Sequence, residues 1–126
     1  MTTPVQHVDP IEIARRVYEA YVAKDRDTIE ALIADDFHFT SPRDNRLDRA
    51  TYFSRCWPNS QVTDDFRFVH LVRDGEHVFV TYDLRMKDGS AFRNTEILTI
   101  QNGKLTDAQV FFGWMLPHEA PEGGYL

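Results

Sequence analysis

The sequence predicts an α+β domain in which helices come first and a curled antiparallel sheet follows. Apolar residues recur at helical spacing up to about Trp57, and from Asp64 onward the pattern alternates with period two. Three hairpin dipeptides, Asp74-Gly75, Asp88-Gly89 and Asn102-Gly103, punctuate that second half at regular intervals. The 126 residues suit one domain with a core of its own, expected over residues 9–116, with an extension at 1–8 and a tail at 117–126.

Asp9-Pro10 opens the first helix with a capping carboxylate and a proline at the first helical position. Behind it Ile11, Ala14, Val17, Tyr18, Tyr21 and Val22 form an apolar face against Glu12, Arg15, Arg16, Glu19 and Lys24. "RDTIEALIADD" reads as a second short helix that buries Ile29, Leu32 and Ile33. "FHFTSP" is a brief strand ended by Pro42, with Phe37, Phe39 and Ser41 on one face, and "PRDNR" is a loop. "LDRATYFSRCWP" has helical spacing at Tyr52, Phe53, Cys56 and Trp57 and is closed by Pro58.

Four strands are expected at about 65–73, 77–87, 90–101 and 104–116. With Asp74-Gly75 and Asp88-Gly89 as turn tips, Val72 faces His77, His70 faces Phe79, Asp83 faces Asn94 and Thr81 faces Glu96. Phe66, Phe68, His70, Phe79, Thr81, Asp83, Asn94 and Glu96 would then share a face with Leu98 and Ile100. Both faces are rich in apolar residues, so one is expected to pack on the helices and the other to meet a second copy of the chain.

Glu96 is the odd residue in "FRNTEILTIQNGK", a carboxylate threaded between Phe92, Asn94, Leu98 and Ile100. Such a row lies either at a wet sheet margin or along a cavity where a carboxyl group has a task. Desolvation there raises a carboxyl pKa and leaves a neutral acid able to donate. The plainer alternative is a structural hydrogen bond to Thr81 or to a tyrosine of the first helix.

Composition excludes several classes. A net charge of -6 without a basic stripe argues against nucleic acid. Cys56 is the only cysteine, so an internal disulfide is excluded and a reducing, cytoplasmic setting is expected. The N-terminal stretch lacks an apolar signal core, and no apolar run reaches the roughly 20 residues that span a bilayer. His7, His38, His77 and His118 have no spacing that gathers metal ligands, and every glycine stands at a hairpin tip or near the C-terminus, so neither metal nor phosphate-bearing cofactor is expected.

"YEAYVAKDRDTIEALIADDFHFTSP", followed by a short helix and then "FRNTEILTIQNGKLTDAQVFFG", resembles the nuclear transport factor 2-like superfamily, especially its SnoaL-like and ketosteroid-isomerase-like branches. The resemblance implies a cystatin-like cone, three N-terminal helices packed on a curved sheet around an apolar pocket. It also implies that Tyr18, with Tyr21 as alternative, stands where the isomerases place an oxyanion-binding tyrosine. Glu96 stands at the oxyanion acid, one methylene longer, and Ser41 replaces the general-base aspartate before the strand-ending proline. Asp107 is the nearest counterpart of the cyclase acid, but its alternation with Ala108, Val110 and Phe112 turns it outward.

The resulting expectation is a pocket for a small apolar molecule bearing a carbonyl or hydroxyl group, used for isomerisation, cyclisation or dehydration by cofactor-free acid/base chemistry; the alternative is a non-catalytic ligand-binding or dimerisation module. Glu96 would be the central acid with His70 or Asp83 as proton partner. Tyr18, Asn94, Ser41, Thr81, Phe37, Phe39, Phe68, Phe112, Trp57 and Trp114 would contact the ligand.

Overall fold

The computed structural model describes residues 8–120, so the tail beyond Ala120 and most of the N-terminal extension lie outside the described residues. Helix α1 (Pro10–Ala23) starts where Asp9 accepts a hydrogen bond from the Ile11 amide, and stops at Lys24, which takes a left-handed φ of 59°. Helix α2 (Arg26–Leu32) is capped by Asp25 through the Thr28 amide. It ends one residue before Ile33, because Ile33–Ser41 is already strand β1, which is longer than the expected "FHFTSP". The stretch read as a loop is instead strand β2 (Asp44–Asp48), hairpinned onto β1. Helix α3 (Arg49–Arg55) is capped by Asp48 and runs into a 3-10 turn, Trp57–Val62.

Strands β3 (Thr63–Asp74), β4 (His77–Met86), β5 (Ala91–Gln101) and β6 (Lys104–Leu116) complete a six-stranded sheet in the order β2-β1-β6-β5-β4-β3. All neighbours are antiparallel except β1 and β6, which run parallel. The helices lie in the concave face, where Ile13, Ala14, Val17 and Ala20 of α1 meet Val78, Val80, Leu84, Leu98 and Ile100 in one apolar core. No described helix is long and apolar enough to cross a membrane.

The register corrects the expected faces. The second hairpin closes through three residues, Lys87, Asp88 and Gly89, with the Met86 amide donating to the Ser90 carbonyl at 2.8 Å and Gly89 at φ 91°. A three-residue loop slips the pairing by one position relative to a two-residue loop, and a one-residue slip turns a whole strand over. Val80 therefore opposes Glu96, Tyr82 opposes Asn94, and Asp83 opposes Arg93. Thr81 and Asp83 lie on the convex side.

Two bulges shift the faces further. One at Val69 sets Phe68 opposite Tyr82 but His70 opposite Thr81, so Phe66 and Phe68 face inward while His70 and Val72 face outward. The other, at Gly113, sets Phe112 opposite Asn94 and Trp114 opposite Arg93, which sends Trp114 to the convex face. A Cβ at Gly113 would run into the Arg93 carbonyl oxygen, so the bulge requires glycine there.

Candidate functional site

Helix α1 and the curled sheet do not close on each other completely. They leave a cavity of about 430 Å³, walled by α1, β1, α3 and strands β4 to β6. Its wall is mostly apolar, with Val17, Ile29, Phe37, Phe39, Leu98 and Val110 among the lining residues. The polar exceptions include one group around Glu96, one around Ser41, Arg43 and Asp44, and the pair Asn59 and Thr63.

Glu96 is held by the sheet and projects from β5 into this space. The surface it retains is cavity wall rather than outer surface, and withdrawal from bulk water raises its carboxyl from 4.5 to about 7. The Tyr82 and Tyr18 hydroxyls nearby pull in the opposite direction. Tyr18 comes from α1, its ring wedged against Phe66, Phe68 and Tyr82 at 5.4–5.6 Å between centroids. Burial, and then the Glu96 charge, push its hydroxyl well above the usual tyrosine range, so Tyr18 is a donor that stays protonated. That hydroxyl is buried and faces the Glu96 carboxyl, but makes no hydrogen bond of ordinary length.

Tyr82 is likewise raised by burial, and its hydroxyl accepts from Asn94 Nδ2 at 3.4 Å. Asn94 Oδ1 in turn accepts from the Gly113 amide at 3.3 Å. Tyr21 also lines the cavity, its hydroxyl pushed up to about 12 by burial. Cys56 stands on the same wall with its thiol pushed up to about 11 by burial and the Asp44 charge, so it is a neutral thiol and no nucleophile near pH 7.

Of the residues singled out from the sequence, Glu96, Tyr18, Asn94, Phe37, Phe39, Ser41 and Phe112 come together around the cavity. The others do not. Asp83 on the convex face is bonded by Arg93 at 2.7 Å and Arg67 at 3.0 Å, and the Arg93 guanidinium holds its carboxyl below the ordinary range. Thr81 bonds Thr95 at 2.8 Å on that face, beside His70, and so is not a partner for Glu96. Trp114 stacks on His118 at 4.4 Å, outside the cavity. Phe68 and Trp57 face inward but are core, behind Tyr18 and Tyr21 respectively. Asp107 pairs with Thr99 and faces outward as expected.

Several lining residues escaped the sequence, Tyr52, Asn59 and Thr63 among them, and two more, Tyr82 and Asp44, bear directly on the chemistry. With Asp88-Gly89 as the turn tip Tyr82 falls on the face opposite Glu96; Lys87-Asp88-Gly89 as a three-residue loop turns it inward. Asp44 lay in the supposed loop, and its only signal was the spacing of three from Ser41. Among the described residues, no group of three or more His, Cys, Asp or Glu side chains stands together as metal ligands would.

A helix-filled cone of curved sheet with a desolvated acid beside an unpaired tyrosine hydroxyl defines a class of small α+β pocket proteins. The chain belongs to the SnoaL-like domain family, whose domain matches residues 14–108. Solved structures agree on the fold. A putative ketosteroid isomerase from Kribbella flavida DSM 17836 superposes with a TM-score of 0.71 at 20% identity, covering 89% of this chain and 82% of that one. An LEH-like epoxide hydrolase from M. tuberculosis gives 0.69 at 17% identity, covering 82% of each chain. A protein of unknown function with a cystatin-like fold from Xanthomonas campestris gives 0.71 at 18% identity, covering 84% of this chain and 92% of that one. No curated protein matches the chain.

Proposed function

We propose that the protein binds a small, largely apolar molecule carrying a carbonyl group, seats that oxygen at the Tyr18 hydroxyl beside Glu96, and uses the ionised Glu96 carboxylate to take a proton from the adjacent carbon and, as the acid, to return it, without a cofactor. The observation that carries this reading is the Tyr18 hydroxyl, a buried donor that faces the Glu96 carboxyl without a hydrogen bond of ordinary length, in an otherwise largely apolar cavity. Leaving a buried donor unpaired costs about 1–3 kcal/mol, and a ligand oxygen would satisfy it. A carboxyl poised near neutrality both gives and takes a proton at working pH, which suits isomerisation, cyclisation or dehydration. The names of two structural neighbours, a putative ketosteroid isomerase and an epoxide hydrolase, support a ring-sized apolar substrate.

The test is solvent exchange. Cyclic ketones incubated with the protein in heavy water should gain deuterium next to the carbonyl, followed by mass spectrometry, and Glu96→Gln should slow that gain by about 100-fold or more. Binding without any deuterium gain would replace this reading by that of a non-catalytic binder. Ser41, which stands where the resemblance places an aspartate base, is the feature that favours this second reading.

The convex face is proposed to meet a second copy of the chain. Val72, Phe79 and Ile97 form one row across it, next to Phe111, and Val72 and Phe111 are each more than half exposed. The lone Cys56 supports a cytoplasmic location.

A further inference from the structure

The cavity has a second polar pole on the other side of β6. Phe39 pairs with Ala108 and Thr40 with Gln109, so Ser41 stands one step on, level with Val110, and Val110 pairs with Glu96. Ser41 and Glu96 thus occupy one row across the sheet with a single strand between them, about 10 Å apart at a strand spacing of about 4.8 Å. The Ser41 hydroxyl donates to Asp44 Oδ2 at 2.8 Å, and Arg55 meets Asp44 Oδ1 at 3.0 Å. The Asp44 side chain is only 13% exposed, and Asp44 and Ser41 line the same cavity as Glu96.

A carboxylate offers about four acceptor positions, and Ser41 and Arg55 take one each. The Arg55 guanidinium supplies the countercharge that makes a carboxylate tolerable on this wall. Between the two poles the lining is apolar, with Val110, Leu98 and Phe39 offering only hydrocarbon contact. A ligand that filled this space with a plain hydrocarbon end would leave Asp44 acceptor positions desolvated and unmatched.

We infer that Asp44, set in place by Ser41 and Arg55, selects the outer end of the ligand by accepting a hydrogen bond from a hydroxyl group that lies across a ring system from the oxygen held at Tyr18 beside Glu96. The inference rests on the binding reading above and narrows its substrate class to hydroxylated cyclic ketones.

The bicyclic ketone tetralone and its ring-hydroxylated analogue separate the two claims by isothermal titration. The wild-type protein should bind the hydroxylated ketone about tenfold more tightly than tetralone, the gain expected of one hydrogen bond to a charged group. Asp44→Ala and Asp44→Ser should each bring that ratio close to one, and a far-ultraviolet circular dichroism spectrum like that of the wild type reports that the fold survives. Ser41→Ala should keep the preference, since Arg55 still holds the carboxylate. Tetralone binding with no preference in the wild type, or a preference that persists in the Asp44 variants, overturns the inference alone. Failure of the wild type to bind either ketone overturns the binding reading, and this inference with it.

Discussion

Asn94 donates from Nδ2 to the Tyr82 hydroxyl at 3.4 Å and accepts through Oδ1 from the Gly113 amide at 3.3 Å. One buried side chain thereby joins the polar floor of the cavity to the bulge that bends β6. The orientation of the Tyr82 hydroxyl, and the field it exerts on Glu96, depend on backbone geometry two strands away.

Glu96 makes stability depend on pH in a defined window. Its carboxyl is raised from 4.5 to about 7 by burial, so between those values the unfolded chain releases a proton that the folded chain keeps. Stability should therefore be greatest below about pH 4.5 as far as this group is concerned, fall through the window, and level off above about pH 7. The full effect is bounded at about 3 kcal/mol, from 1.36 kcal/mol per pKa unit. Urea midpoints measured across pH 4.5–8 should show this slope in the wild type, and Glu96→Gln should remove it.

The two tyrosines beside Glu96 should respond in opposite ways to loss of the hydroxyl. Tyr18→Phe removes a buried donor that makes no hydrogen bond of ordinary length, so stability should hold or rise by up to about 1 kcal/mol while ketone affinity falls. Tyr82→Phe strands the Asn94 amide and should cost about 1 kcal/mol. Paired denaturation and titration curves distinguish the two, and equal destabilisation by both would remove Tyr18 as the waiting donor.

How far the sequence reaches is visible in these residues. The inward row of β5, from Phe92 through Glu96 to Ile100, follows from alternation alone and stands as read. The neighbouring strand does not, because "MKDGS" is compatible with a two-residue or a three-residue loop, and the choice decides whether Thr81 and Asp83 or Tyr82 face the cavity. Bulges are equally silent in a pattern read with strict period two, so one extra residue carried Trp114 to the wrong side, whereas His70, which shares a face with Thr81, went there with the loop slip. Asp44 was hidden for a different reason: Pro42 signals the end of a strand but says nothing of whether the chain turns back along the same wall.

Asp83 offers a test of this geometry. Its oxygens are bonded by Arg93 and Arg67 on the convex face, and its carboxyl lies below the ordinary range. Asp83→Asn should cost about 1 kcal/mol or less, as partly exposed ion pairs do, and should leave ketone affinity and deuterium exchange at the wild-type level. An exchange rate reduced tenfold or more would bring Asp83 back as the proton partner of Glu96.

Light scattering of the eluting protein should give twice the chain mass if the convex face pairs two copies. Phe111→Glu places a charge next to the row of Val72, Phe79 and Ile97 and should leave monomer at micromolar concentration. A wild-type protein that elutes as monomer removes the pairing, and the cavity reading is unaffected because its lining comes from one chain.

Gly113 should be the least replaceable glycine of the sheet. A Cβ there meets the Arg93 carbonyl oxygen, and backbone cannot swing aside as a flexible side-chain end can. Gly113→Ala must therefore open the β5–β6 pairing at the bulge, and with it the bond from the Gly113 amide to Asn94. A cost of about 2 kcal/mol or more is expected, together with weakened ketone binding, because Asn94 no longer steadies the Tyr82 hydroxyl. Gly89→Ala is the matched control. It strains a φ of 91° but meets nothing within 4 Å, so it should cost about 1–2 kcal/mol and leave ketone affinity unchanged. If the two substitutions weakened ketone binding equally, the link from bulge to cavity floor through Asn94 would be wrong.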